Sequence, residues 1–176
     1  RLLPASPIGL CGRRAADWGH RARAASRSTI VSVNGSPYYL FNGLHYQPVI
    51  VLATGAVHGV EALVRWGPPE FGHLLPQQFI PLAEETGLIT QVGNWVLREA
   101  CRQLMAWRAD GMSPDLFIAV NVSSRELLHD RDIAADVRAV LAETGLDARH
   151  LVLEITESVL MQQTTNALEK LKGLKA

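Results

Sequence analysis

From Leu44 onward, apolar positions recur with alternating short and long periods, a pattern that predicts strands interleaved with helices. Residues 44–52 read as a strand in which Pro48 limits pairing. Ala53-Thr54-Gly55 is a turn signal, and 56–66 reads as a second strand, so the two make a hairpin. A helix is predicted from Leu74 to about Thr86, with Phe79, Ile80, Leu82 and Ala83 apolar and Gly87 as its stop. A longer helix, about Ile89 to Ala109, carries Val92, Trp95, Val96, Leu97, Ala100, Leu104 and Trp107 at helical spacing and stops at Gly111. Residues 116–122 form an apolar run of strand length, bounded by Pro114 and Ser123-Ser124. Helix follows from about Arg125 to Thr144, with Gly145 as its stop, then a short strand at 151–156 and a helical pattern from Thr165 to the end.

Strands alternating with helices of these lengths indicate parallel β/α units, and strands apolar on both faces belong in a sheet covered by helices. The fold class is therefore α/β, and the expected architecture is an incomplete (β/α)8 TIM-type barrel. A complete barrel takes about 250 residues, against about 130 regular ones here. A small self-contained doubly wound domain is the competing architecture. Residues 1–43 differ: Arg-Ala pairings with scattered Gly, Ser and Pro and no sustained period predict an irregular or disordered lead-in, leaving 44–176 as the domain.

Composition narrows the function classes. Lys+Arg and Asp+Glu number 17 each in 176 residues, so nothing global points to duplex nucleic acid or an anionic membrane surface. No apolar run approaches the roughly 20 residues of a membrane helix. Cys11 and Cys101 lack zinc-cluster spacing, and a reducing cytoplasm is the simpler reading; the start at Arg1 leaves an upstream anchor open. Gly55, Gly67 and Gly72 form no phosphate-loop pattern.

The chemistry is carried by polar residues that interrupt the apolar strands near an end or turn: Gln47, Glu61 with Arg65, Asn121 and Glu154. In Glu61-Ala62-Leu63-Val64-Arg65-Trp66, period two sends Glu61, Leu63 and Arg65 to one face and Val60, Ala62, Val64 and Trp66 to the other. The C-terminal strand edge is where sites are built in barrels and open parallel sheets. Two carboxylates and an amide offer only oxygen ligands, which suits Mg2+ or Mn2+ over zinc. His45, His58, His73, His129 and His150 have no ligand-like spacing among themselves. Each polar residue also has a plainer reading. Asn121 could cap a turn, Glu154 could pair with a lysine, Glu157 could open a helix, and Arg65 could neutralise Glu61. Trp95 and Trp107 read as core, and Trp66 is ambiguous.

Five ordered motifs then carry a resemblance. They are Tyr46-Gln47-Pro48-Val49-Ile50, Glu61-Ala62-Leu63-Val64-Arg65-Trp66, the stretch from Pro76 to Glu84, Val120-Asn121-Val122-Ser123 and Leu153-Glu154-Ile155-Thr156-Glu157-Ser158. Together they resemble the EAL-domain family of bacterial phosphodiesterases, which open cyclic di-GMP to linear pGpG. The resemblance implies a modified (β/α)8 barrel whose first strand runs antiparallel, in agreement with the hairpin at Gly55. It implies Glu61, Asn121 and Glu154 as ligands of Mg2+ or Mn2+, and Gln47, Leu63 and Arg65 as contacts to cyclic di-GMP, with Arg65 on a phosphate. For catalysis it implies Glu61 together with Glu157, which resembles a glutamate that steadies a loop over the site. The implied chemistry is in-line attack of an activated water on phosphorus, with cations neutralising the charge that develops.

The family pattern continues with an Asp-Asp-Phe-Gly-Thr-Gly strand, a lysine and a further metal-ligand glutamate, and the chain reaches Ala176 without them. The expectations are a phosphodiesterase in the parent protein, with this stretch inactive alone; a degenerate EAL domain that senses cyclic di-GMP without cleaving it; or, for these 176 residues by themselves, a truncation that does not fold stably alone. Among partners, cyclic di-GMP is expected, and a homodimer of the full-length protein is left open.

Overall fold

The computed structural model of the protein describes residues 29–33, 36–41, 43–66, 74–128, 132–155 and 173–174. Strands β3 (Gly43–Ile50), β4 (Val57–Arg65), β5 (Phe117–Val122) and β6 (Leu151–Ile155) form one sheet in that order. β3 pairs antiparallel to β4, while β4 to β5 and β5 to β6 are parallel. This is a four-stranded segment of a (β/α)8 barrel with a reversed first strand. The hairpin that reverses it closes with Val51 N–H donating to the Ala56 carbonyl at 2.9 Å, and Gly55 takes a left-handed φ of 70° that a side chain would oppose. Pro48 faces Val60 from the outer strand, where its missing N–H costs the ladder least.

Helices α1 (Pro76–Thr86) and α2 (Ile89–Ala109) join β4 to β5, and they match the predicted helices within two residues. Gly87 ends α1 in the left-handed conformation at φ 77°, as its stop signal requires. α2 lays Val92, Val96, Leu97, Ala100, Cys101, Leu104 and Trp107 into the core with Leu44, Val60, Ala62, Ile118 and Val120 of the sheet. Each such large side chain taken out of water contributes about 1.5–3 kcal/mol. Trp107 packs edge-to-face on Tyr46 with ring centroids 4.8 Å apart, and Trp95 packs half-buried against the same cluster, so both belong to the core. Trp66 resolves the same way, edge-on to Phe79 at 5.6 Å.

Two features depart from the sequence reading. The helix expected over 125–144 is two: α3 (Ser124–Leu128) and α4 (Ile133–Thr144). The second starts at Asp132, whose carboxylate accepts from Ala135 N–H at 3.0 Å, an N-cap inside what reads as one helical period. Within the expected irregular lead-in, β1 (Thr29–Val33) and β2 (Ser36–Phe41) pair as an antiparallel hairpin. The strand expected over 151–156 is described to Ile155, and the helix predicted from Thr165 lies outside the described residues apart from Gly173 and Leu174.

Candidate active site

The sheet has one face under the helices and one more open, and period two assigns the side chains between them. Val60 and Ala62 are buried under α2, whereas Glu61, Leu63 and Arg65 are half-buried on the opposite face. Register then gathers the polar residues there. Gln47 lies directly across from Glu61 in the antiparallel pair, and Asn121 lies directly across from Glu154 in the parallel pair. Between these pairs, Asn121 Nδ2–H donates to Glu61 Oε1 at 2.7 Å. Gln47, Glu61, Asn121 and Glu154 thus come from four successive strands onto one surface. Leu63 sits one step nearer the C-terminal end of β4, opposite His45.

Arg65 lies at the same end, paired across the ladder with Gly43. Its Nη1 donates to the Val64 carbonyl at 2.9 Å, which uses one of its five N–H donors. Among the described residues no ion pair joins it to Glu61, so the guanidinium does not serve as that carboxylate's counter-charge. Glu157 lies outside the described residues.

Partial desolvation, and after it the negative charge of Glu61, push the Glu154 carboxyl above the usual carboxylate range. Two carboxylates on one face, with an amide beside them, fit a hard divalent cation by donor chemistry. Among the described residues no three His, Cys, Asp or Glu side chains cluster as metal ligands; the amide of Asn121 is a further oxygen-bearing group on this face. Cys101 offers no competing chemistry, because burial pushes its thiol up to about 11 and leaves it protonated in the core.

A family model describing the EAL domain matches residues 42–176. The chain belongs to the EAL-domain family. Over 133 residues, covering 76% of this chain, it is 47% identical to the bifunctional diguanylate cyclase/cyclic di-GMP phosphodiesterase MucR of Pseudomonas aeruginosa. Over 134 residues, 74% of this chain, it is 46% identical to the cyclic di-GMP phosphodiesterase NbdA of the same organism. Its EAL fold superposes on the PaMucR phosphodiesterase in complex with c-di-GMP with a TM-score of 0.69, at 46% identity over 75% of this chain and 53% of that one. The chain spans about half the length of that solved domain, and 19% and 17% of the curated MucR and NbdA sequences.

One part of this EAL segment was readable in the sequence and not singled out. Ser123 and Glu126 form a reciprocal cap at the end of β5: Ser123 N–H donates to Glu126 Oε2 at 2.9 Å, and Glu126 N–H donates to Ser123 Oγ at 3.3 Å. The signal is the Ser-x-x-Glu spacing itself.

Proposed function

We propose that this segment carries the first part of a phosphodiesterase site for cyclic di-GMP, with Glu61, Asn121 and Glu154 holding Mg2+ or Mn2+. The observation that supports it most is the convergence of Gln47, Glu61, Asn121 and Glu154 on one sheet face, in a family whose relatives MucR and NbdA are named as cyclic di-GMP phosphodiesterases. When bound, such a cation supplies Lewis-acid neutralisation of charge at a phosphodiester. Glu61 and Glu154 hold it through carboxylate oxygens, and Asn121 does so through its amide oxygen once the amide turns away from Glu61. In this reading Gln47 hydrogen-bonds the dinucleotide and Leu63 packs against it. Arg65 meets a phosphate through its planar fork, whose geometry suits two oxygens at once. Glu157 keeps the role of steadying a loop over the site.

Two carboxylates and one amide supply about half of an octahedral oxygen shell. Residues 1–176 alone are accordingly expected to bind the cation without turning over cyclic di-GMP. The test joins residues 42–176 to the remainder of the PaMucR EAL domain and follows formation of linear pGpG by chromatography with and without Mn2+. Mn2+-dependent product supports the reading. Tight binding of cyclic di-GMP without product would instead make the segment part of a sensor.

A further inference from the structure

The open face of β3 carries a side chain that the site described above does not use. Burial alternates along the strand: Leu44 is buried and Tyr46 packs on Trp107, whereas His45 and Gln47 are exposed on the opposite face. Because β3 runs antiparallel to β4, stepping back from Gln47 to His45 matches stepping on from Glu61 to Leu63. His45 therefore lies directly opposite Leu63, as Gln47 lies opposite Glu61. One step further Arg65 faces Gly43, which has no side chain. On this face, then, His45 is the β3 side chain nearest the end where Arg65 sits.

Opposite residues of an antiparallel pair hold their Cβ atoms about 4.5–5.5 Å apart, and diagonal neighbours stay within reach of long and aromatic side chains. The His45 imidazole and the Leu63 side chain are thus neighbours on one surface, with Arg65 on the diagonal. The phosphates of a cyclic dinucleotide go to charged groups, and its riboses are puckered and polar. Its bases alone offer a flat face that an aromatic ring and a leucine can cover together.

We infer that His45 is a ligand-contacting residue whose ring joins Leu63 in a wall against one guanine base of cyclic di-GMP. This assignment rests on the cyclic di-GMP site proposed above and adds to it a contact for the base. The ring face makes the contact, so phenylalanine can supply it, whereas alanine and the non-aromatic glutamine cannot.

The test joins the full chain to the remainder of the PaMucR EAL domain. Cyclic di-GMP is titrated in with divalent cations chelated, which holds off turnover, and KM is measured separately with Mn2+. His45→Ala and His45→Gln are expected to weaken binding and raise KM on the order of tenfold, the effect of losing one base–aromatic stack. His45→Phe is expected to stay close to the wild type. Melting curves without ligand are expected to coincide, because an exposed side chain carries little of the fold, so lost affinity is not lost stability. If binding needs the cation, KM decides alone. A His45→Ala protein that matches the wild type would overturn the assignment and leave the site reading standing. So would a His45→Phe protein as weak as His45→Ala, which would make the contact a hydrogen bond through a ring nitrogen. A wild type that neither binds nor cleaves cyclic di-GMP would remove the site reading, and the base contact with it.

Discussion

Asn121 and Glu61, 60 residues apart in sequence, are joined by a 2.7 Å hydrogen bond from amide nitrogen to carboxylate oxygen. Glu61 is itself paired with Ala119 inside the ladder, and Asn121 lies one residue past the last backbone pair between the strands, so the bond runs diagonally across the ladder's end. Around it lie Gln47 and Glu154, each fixed by direct register to one of the two.

Glu61→Ala in the PaMucR chimera removes a carboxylate from the proposed ligand set and a partner from Asn121. Cation-dependent formation of pGpG is expected to fall by on the order of a thousandfold, about 4 kcal/mol of barrier. Initial rates at saturating Mn2+ measure it. A variant that keeps near-native rates would take Glu61 out of the site.

Glu154→Gln separates electrostatic strain from ligation. The Glu154 carboxyl has a raised pKa in the fold, so the stability it contributes is fully present below the unfolded carboxylate value and is lost as pH rises through the folded one. At neutral pH the glutamine variant is expected to be slightly more stable without divalent cation, by a few tenths of a kcal/mol for so exposed a group. It is also expected to lose the stabilisation that Mn2+ gives the wild type. Thermal melts at pH 7.5 with and without Mn2+ read both effects.

His150 predicts a pH dependence of the opposite sign. It is buried just before β6, and its Nε2 accepts from Arg149 Nε at 3.1 Å. Burial first, then Arg108 and Arg149, hold its imidazole below the ordinary histidine value, against the opposing pull of Asp147 and Asp115. A folded pKa below the unfolded one gives stability that is present above about pH 6.5 and lost as pH falls through the folded value. Chemical denaturation between pH 7.5 and 5.5 should show this loss, and His150→Gln should flatten it. An unchanged slope in the variant would assign the effect to other groups.

Leu104→Ala tests the core that holds the sheet. Leu104 is fully buried between α2 and the strands, so truncation removes its burial and leaves a cavity. The expected loss is about 2–5 kcal/mol, read as a lower urea midpoint at constant slope.

Much of this was legible in the residues, for local reasons. Gly55, Gly87 and Gly145 mark turns and helix ends because left-handed backbone suits glycine, and each takes it. The alternation through Glu61-Ala62-Leu63 separated open face from core, because a strand's side chains can do nothing else. What local pattern could not give was register. That Gln47 meets Glu61 depends on a bulge between Val49 and Ile50 in the hairpin, and that Asn121 meets Glu154 depends on how two parallel strands slide past each other. The helix start at Asp132 was missed, although the aspartate cap that marks it was there to be read.

The reversed first strand has a consequence for how the molecule is wired. In a barrel of parallel strands the polypeptide arrives at the end remote from the chemistry. Here Gly43, the first residue of β3, lies opposite Arg65, so the strand begins beside that arginine. A change in the backbone at Gly43 therefore falls directly opposite Arg65, with no other strand between them.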